Sequence, residues 1–233
     1  MKIKNLKLKI NQEKPQQYLR GWTEFYKLKF KVTPDVLIPR PETELLVDEI
    51  LNYCKLSTVN CKLILDIGTG AGNIAISIAK NAPNVEIIAT DVSAKALKIA
   101  QQNAKLHGVE DKIKFIQSNL LSNLRLHPKG VIIIVTNLPY IPSERIPYLD
   151  SSVKDFEPHV ALDGGEDGFE LYRKLFAQIK EKDWKPKLII GEIDYTHGEL
   201  AINEAQKYFP ETKVEVKTDL AYKQRILLIW EFL

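Results

Sequence analysis

The sequence has few of the features that mark several large protein classes. Only two of its 233 residues are cysteines, Cys54 and Cys61, and neither belongs to a Cys-x-x-Cys pair. This excludes a disulfide-rich secreted scaffold and favours a reducing compartment, although one disulfide between the two stays an alternative. No apolar run approaches the roughly 20 residues that a membrane span needs, and the basic start MKIKNLKLKI lacks the apolar core of a signal peptide. We therefore expect a cytoplasmic protein without a membrane segment.

A large excess of one charge and a cluster of metal ligands are also missing. Lys and Arg number 33 against 30 Asp and Glu, which gives a net charge of +3. Dedicated nucleic-acid binders usually carry a stronger basic excess, so this balance permits such a partner without arguing for one. The histidines show no ligand spacing, and we expect no metal site. They are His107, His127, His159 and His197.

What the chain does have is a regular alternation of apolar strands and amphipathic helices. Strands are predicted at residues 62–67, 85–90, 112–117, 131–136, 187–193, 213–218 and 225–232. Apolar residues at helical spacing predict helices that begin near Thr43, after Gly72 and at Ser93, the last one ending before Gly108. Such alternation indicates an α/β fold with a mostly parallel seven-stranded sheet, and the last two strands should form an antiparallel hairpin. We assign residues 35–233 to this domain and residues 1–34 to a short helical or hairpin appendage.

A glycine-rich turn, Asp66-x-Gly68-x-Gly70-x-Gly72, joins the first strand of this domain to a helix. Glycines let the backbone turn sharply and approach a ligand closely, and the start of a helix offers free N–H groups. The dinucleotide fingerprint Gly-x-Gly-x-x-Gly would place its third glycine at position 73, where this chain has asparagine. Asp66 would also match a pyrophosphate poorly, but it suits a ligand with a cationic centre and an ammonium group.

S-adenosylmethionine is such a ligand, since it carries a sulfonium, an ammonium group and a ribose with two hydroxyls. Asp91 ends the next predicted strand, about 20 residues further on, where a carboxylate can accept both ribose hydroxyl protons. We interpret the turn and Asp91 as a site for this methyl donor. A nicotinamide-dependent oxidoreductase and a module that binds the donor without turnover are the alternatives.

The strand VIIIVT runs directly into Asn137-Leu138-Pro139-Tyr140. Proline fixes its own backbone angle and lacks an N–H, so the turn is stiff and its carbonyls lack partners in the sheet. These carbonyls and the Asn137 side-chain oxygen are acceptors beside the flat face of Tyr140. Two acceptors and a flat wall suit a planar NH₂ group, which is found on glutamine amides and on the exocyclic amines of adenine and cytosine. The turn therefore predicts methylation of such a nitrogen.

Four segments together resemble the bacterial release factor glutamine methyltransferases. They are IPRPETE at residues 38–44, LDIGTG at 65–70, NLPYI at 137–141 and FEPHVAL at 156–162. The resemblance runs from about Gln17 to the C-terminus, and it implies the Rossmann-like class I methyltransferase fold. It also implies methyl transfer from S-adenosylmethionine to the glutamine of a Gly-Gly-Gln motif in a peptide chain release factor.

By this resemblance, each functional role falls on particular residues of this chain. The donor would contact Gly68, Thr69, Gly70, Ala71, Gly72, Asp91, Asn119, Leu120 and Asn137, with Asp66 added from its charge. The glutamine would lie on Asn137, Leu138, Pro139 and Tyr140, of which Asn137, Pro139 and Tyr140 would carry the catalysis. Arg40 and Glu42 would line the mouth of the pocket, or else form an ion pair at the start of a helix.

The chain departs from the family pattern at three places. Leu138 stands where the family usually has the first proline of Asn-Pro-Pro-Tyr, and Asn-Leu-Pro-Tyr is similar to the loop of ribosomal RNA adenine dimethyltransferases. The alternative function is therefore methylation of an exocyclic amino group of adenine in RNA or DNA. Residues 1–34 are shorter than the family's usual helical N-terminal domain, and Tyr222 stands at what resembles a family glycine before Arg225.

Overall fold

A computed structural model describes residues 14–56, 63–125 and 132–232. Several of the predictions fall outside these ranges. They concern residues 1–13 of the appendage, Cys61, His127, Leu233 and the strand residues Lys62 and Val131. In the described ranges, no helix is both long enough and apolar enough to cross a membrane.

The described residues form a mixed α/β structure with nine strands. The strands are β1 (Trp22–Phe25), β2 (Leu28–Lys31), β3 (Leu63–Ile67), β4 (Glu86–Asp91), β5 (Ile113–Gln117), β6 (Ile132–Thr136), β7 (Leu188–Glu192), β8 (Lys213–Thr218) and β9 (Gln224–Trp230). The α-helices are α1 (Gln16–Arg20), α2 (Glu44–Leu56), α3 (Asn73–Asn81), α4 (Ala94–Leu106), α5 (Ser151–Lys154), α6 (Glu170–Glu181) and α7 (Gly198–Tyr208). Short 3₁₀ turns lie at Pro41–Thr43, Glu110–Lys112, Ser143–Tyr148 and His159–Ala161.

Seven strands form one sheet in the order β5-β4-β3-β6-β7-β9-β8. The five strands β3 to β7 run parallel, and β9 pairs antiparallel with both β7 and β8. This confirms the predicted fold class and the C-terminal hairpin. From β3 the chain winds outward through β4 and β5, and then returns to β6 on the other side of β3. Ligands of such sheets bind outside the carboxyl ends of the strands at this switch point.

The apolar strand β6 is buried on both faces of the sheet. Ile133 and Val135 belong to the core that the sheet shares with α2 and α3. Ile132 and Ile134 point to the opposite face and pack into the core shared with α6 and α7. All four side chains are at most 3% exposed. A strand that is covered on both faces by helices has no polar side to present, which accounts for the uninterrupted apolar run.

An N-terminal hairpin, formed by β1 and β2, packs against this main sheet. Its side chains Phe25 and Phe30 are 1% and 0% exposed and join the core that contains α2 and α3. Asn103 of α4 ties the hairpin down, since its Oδ1 accepts from the Lys31 N–H at 2.8 Å and its Nδ2 donates to the Lys31 carbonyl at 3.0 Å. The same Nδ2 donates to the Ala71 carbonyl at 2.9 Å. One buried amide therefore joins the hairpin to the glycine-rich turn.

The start of α2 differs from the sequence prediction. The sequence offers Thr43 or the residues just before it as the cap of this helix, but Thr43 ends a 3₁₀ turn and its hydroxyl donates to Glu192 Oε2 at 2.6 Å. The helix α4 agrees with its prediction more closely. The Ser93 hydroxyl accepts from the Ala96 N–H as an N-cap, and Gly108 follows the helix with a φ of +62°.

We predict that Asn103→Ala lowers the free energy of unfolding by about 2–4 kcal/mol, because the backbone groups of Lys31 and the buried carbonyl of Ala71 lose their hydrogen-bond partner. Gln102→Ala is the matched control. The neighbouring Gln102 is exposed, and its side-chain oxygen accepts from the Lys31 ammonium group at 2.7 Å, so its loss should change stability by less than about 0.5 kcal/mol. Urea unfolding of both variants measures the difference, and equal losses would contradict the structural role of Asn103.

Candidate active site

A cavity of about 250 Å³ lies at the carboxyl ends of β3, β4 and β6. Eleven of the residues singled out by the sequence line it: Arg40, Gly68, Thr69, Gly70, Ala71, Asp91, Asn119, Leu120, Asn137, Leu138 and Pro139. Asp66, Gly72, Tyr140 and Glu42 do not line it. The switch point of the sheet therefore brings the glycine-rich turn, Asp91 and the Asn137 loop to one concave site.

The glycine-rich turn is held against the end of β4. The N–H groups of Gly68 and Thr69 both donate to the Thr90 carbonyl, at 2.9 and 2.8 Å. Gly72 is needed for packing more than for the cavity, since a Cβ there would lie 3.0 Å from Ile76 and 3.1 Å from Ala100, at a φ of +80°. The glycine permits the close approach of α3 and α4, and this approach fixes the turn in place.

Asp91 presents a carboxylate to the cavity in a fixed orientation. Its Oδ2 accepts from the Gly70 N–H at 2.9 Å, and its Oδ1 accepts from the Ser93 N–H at 2.8 Å. Burial raises the pKa of this carboxyl, and the backbone hydrogen bonds oppose that rise. A carboxylate has about four lone-pair positions, so each oxygen can still accept another donor. The carboxylate can therefore accept hydrogen bonds from two neighbouring hydroxyls, such as those of a ribose.

Asp66 lies beneath the turn and is completely buried. Its Oδ2 accepts from the Thr69 hydroxyl at 2.6 Å and from the Ala75 N–H at 3.2 Å, which joins the turn to the first residues of α3. Its Oδ1 has no hydrogen-bond partner among the described residues. Burial raises the pKa of this carboxyl to about 7. Asp66 thus supports the turn from below, which differs from the direct ligand contact that its charge suggested.

Asn137 is oriented by a chain of hydrogen bonds that crosses the site. Its Nδ2 donates to the Thr43 hydroxyl at 3.0 Å, and Thr43 in turn donates to Glu192 Oε2 at 2.6 Å. On the other carboxylate oxygen, Glu192 Oε1 accepts from the Tyr140 hydroxyl at 2.9 Å. Both ends of the Asn137–Tyr140 loop are thereby connected through one buried carboxylate. Tyr140 reaches Glu192 instead of lining the cavity, so its place beside a substrate stays a prediction.

The loop after β6 is backed by the acidic, glycine-rich segment 163–168. The Ile141 N–H donates to the Leu162 carbonyl at 3.2 Å, and the Gly164 N–H donates to the Ile141 carbonyl at 2.9 Å. A Cβ on Gly164 would lie 2.8 Å from the Pro139 carbonyl oxygen. Its acidic, glycine-rich composition predicts a flexible connection, but the segment packs tightly against the loop and stiffens it further.

Two of the motifs meet at the mouth of the cavity. The Arg40 guanidinium pairs with Glu157, whose Oε2 also accepts from the Ile38 N–H at 3.1 Å. Glu157 is 6% exposed and belongs to the FEPHVAL segment, from which Pro158, Val160 and Ala161 line the cavity. The alternative of an Arg40–Glu42 ion pair is wrong, since Arg40 turns to Glu157 and Glu42 is exposed outside the cavity. The motif IPRPETE therefore forms a wall of the site together with FEPHVAL.

Leu138 connects the two loops that face each other across the cavity. It is 3% exposed, and a Cβ on Gly68 would lie 3.4 Å from its Cδ2. Leucine at this position therefore fills the space between the glycine-rich turn and the Asn137 loop. Thr43 and the cavity residues Val36, Leu37, Val160 and Ala161 carried no functional prediction. These residues meet only when distant segments of the chain fold together, so their shared position could not be predicted. The IPRPETE and FEPHVAL motifs contain or adjoin them and were the available signal.

We predict that Asp66→Asn raises stability at and above neutral pH. The pKa of Asp66 is raised to about 7 in the folded protein from a usual value of 3.8. The protonated carboxyl therefore contributes to the free energy of unfolding in full below about pH 4, and this contribution is lost as the pH rises through 7. The wild type should therefore lose up to about 4 kcal/mol relative to the asparagine variant across this window. Urea unfolding at about pH 5 and pH 8 tests this, and parallel pH profiles would contradict it.

Comparison with known proteins agrees with this geometry. Residues 42–147 match the model of the family described as "Methyltransferase small domain". The release factor glutamine methyltransferase of Clostridium acetobutylicum is 37% identical over 217 residues, which are 92% of this chain and 74% of that protein. The enzyme of the same name from Flavobacterium psychrophilum is 45% identical over 225 residues, which are 95% of this chain and 77% of that protein.

Solved structures share the fold at much lower identity. The hMettl16 catalytic domain in complex with the MAT2A 3'UTR hairpin 6 has a TM-score of 0.70 and 15% identity, and the match covers 89% of this chain and 77% of that one. The ribosomal protein L11 methylase of Lactobacillus delbrueckii has a TM-score of 0.58 and 18% identity, with 87% and 84% covered. These structures support the fold alone. By its sequence relatives, the chain belongs to the release factor glutamine methyltransferases.

Proposed function

We propose that the protein transfers a methyl group from S-adenosylmethionine to the side-chain amide nitrogen of the glutamine in a release factor Gly-Gly-Gln motif. The observation that carries this proposal is the fixed amide of Asn137. Its Nδ2 is engaged by Thr43, so its Oδ1 remains to accept from an NH₂ group at a cavity that Gly70 and Asp91 also line.

The bound donor supplies a methyl carbon on a sulfonium, which is already an excellent leaving group. Gly68, Gly70 and Asp91 are the residues proposed to hold it, with Asp91 receiving the ribose hydroxyls. Val36, Leu37 and Ala96 add apolar surface to the same cavity. The chain therefore needs to supply alignment more than chemical activation.

The acceptor nitrogen of an amide is a poor nucleophile because its lone pair is delocalised into the carbonyl group. Asn137 Oδ1 and a backbone carbonyl of the loop can each accept one of its two hydrogens. Both hydrogen bonds hold the nitrogen in a single orientation, and both become stronger as positive charge develops on it during attack. Formation of the new N–C bond and loss of the S–C bond leave one proton on nitrogen to be released. This nitrogen is then strongly acidic, so water or a loop acceptor can take the proton.

An exocyclic amine of adenine offers the same two hydrogens, and the Asn-Leu-Pro-Tyr loop alone does not separate it from glutamine. The relatives separate them, since they carry the name of release factor glutamine methyltransferase at 37% and 45% identity over most of the chain. The near balance of charge agrees, because a nucleic-acid substrate usually meets a stronger basic surface. We accordingly propose a release factor as the partner and the cytoplasm as the location.

The proposed reaction is tested by incubating the protein with methyl-labelled S-adenosylmethionine and either a bacterial release factor or ribosomal RNA. We expect label in the release factor and its loss when Gly-Gly-Gln is changed to Gly-Gly-Ala, because only the glutamine amide presents the planar NH₂ group. Mass spectrometry of the digested factor locates the methyl group. Label confined to RNA would reject the proposal.

We further predict that Asn137→Ala and Asp91→Ala separate the chemical step from donor binding. Asn137→Ala removes an acceptor for the reacting NH₂ group and should lower kcat by about 100-fold or more, with the Kd of the donor changed little. Asp91→Ala removes the carboxylate that meets the ribose and should mainly weaken donor binding. For both variants, calorimetric titration measures the Kd of the donor and steady-state kinetics measure kcat. An unchanged donor affinity in Asp91→Ala would contradict its role, and loss of folding in Asn137→Ala would favour a structural one.

A further inference from the structure

The hydroxyl of Thr43 stands between the Asn137 amide and the Glu192 carboxylate. Thr43 is 2% exposed and Glu192 is 1% exposed. The Asn137 Nδ2 lies 3.0 Å from the Thr43 hydroxyl oxygen, which lies 2.6 Å from Glu192 Oε2. Of these three side chains, only Asn137 is a predicted site residue, and Thr43 lines the same cavity.

When Glu192 is ionised, only one arrangement of hydrogen-bond donors and acceptors is possible along Asn137, Thr43 and Glu192. A carboxylate accepts and cannot donate, so the single hydroxyl hydrogen of Thr43 must point to Glu192. The hydroxyl oxygen of Thr43 is then left to accept, and the group of Asn137 that faces it must be the NH₂. The other end of the same amide, Oδ1, must face away from Thr43.

Glu192 is held in place from several sides. The Tyr140 hydroxyl donates to its Oε1 at 2.9 Å, and the Tyr172 hydroxyl donates to its backbone carbonyl at 2.6 Å. Glycine at 191 gives the Tyr172 ring its space, since a Cβ there would lie 2.3 Å from the ring hydroxyl. Because the carboxylate cannot move freely, the direction of the Thr43 hydroxyl, and hence of the Asn137 amide, is fixed by packing.

We propose that Thr43 and Glu192 are positioning residues that set the polarity of the Asn137 amide, and that this polarity makes the pocket select a primary amide over a carboxylate. The inference rests on the proposed function. An oxygen of Asn137 facing the substrate attracts the NH₂ of glutamine and repels the carboxylate of glutamate, which differs from it only by replacement of NH₂ with oxygen. If the Asn137 amide were free to rotate by 180°, its NH₂ would meet the substrate instead and this preference would fall.

Thr43→Val tests the proposal, because valine has nearly the shape of threonine and lacks the hydroxyl. Thr43→Ser is the matched variant, since it keeps the hydroxyl and lacks the methyl group. We expect kcat for the release factor to fall by about 30-fold or more in the valine variant, and to recover to within about threefold in the serine variant. The Kd of S-adenosylmethionine and the melting temperature, measured for both, show whether the fold and the donor site are intact.

A second readout reports the polarity of the pocket directly. A release factor whose motif is changed to Gly-Gly-Glu serves as a competitive inhibitor of methylation of the unchanged factor. For the wild-type and serine proteins we expect weak inhibition. For the valine variant we expect inhibition at least about fivefold stronger relative to substrate KM, because the Asn137 NH₂ can then face the carboxylate. A merely structural defect would weaken the binding of both factors together.

The outcomes separate this inference from the proposed function. If the wild-type protein does not methylate the release factor, the proposed function fails whatever Thr43 does. If the wild type is active and Thr43→Val keeps its kcat and its inhibition ratio, the positioning role is overturned. If Thr43→Ser is as inactive as Thr43→Val, the methyl contact matters instead of the hydroxyl, and the inference is also overturned.

Discussion

The parallel pairing of β3 with β6 is the constraint on which the site depends. It places Ile67 opposite Thr136, and the Thr136 hydroxyl donates to the Ile67 carbonyl at 2.6 Å. The glycine-rich turn and the Asn137 loop leave the sheet one residue later, so they begin side by side. A shift of one residue would turn the buried Ile133 and Ile134 to opposite faces and move Asn137 relative to the turn. The apolar core on both faces thus fixes the position of the polar loop.

Distant parts of the chain form the remaining walls of the cavity around these two loops. The Thr43–Glu192 hydrogen bond joins residues 149 positions apart, and the Arg40–Glu157 pair joins residues 117 positions apart. Each contact pairs a residue of the IPRPETE segment with an acidic residue that is almost completely buried. Since a buried carboxylate is costly without partners, these contacts favour one arrangement of the walls over alternatives. The polar residues of the motifs therefore organise the site as well as line it.

The sequence predicted best those features that depend on a single helix or strand. The apolar run of β6, the serine before α4 and Asp91 at the end of β4 each follow from local spacing, and the structure has them as expected. The burial of Asp66 and the direction of the Thr43 hydroxyl could not be predicted, because they depend on partners that only the fold brings near. The helix α6 carried a readable signal, with Tyr172, Leu175, Phe176 and Ile179 at helical spacing, and was not predicted. The boundary between residues 34 and 35 stays a prediction.

A residue that departs from the family pattern can adopt a backbone conformation that favours glycine. Tyr222, at the position where the family glycine was expected, has a φ of +59°, in the region that favours glycine. Asp219 stabilises this turn, since its Oδ1 accepts from the Ala221 and Lys223 N–H groups at 2.9 and 3.0 Å. Tyrosine has little steric freedom there, so the turn must be imposed by Asp219 and by the pairing of β8 with β9. The ring is 90% exposed, so the substitution changes the surface of the protein while the sheet that carries Glu192 is retained.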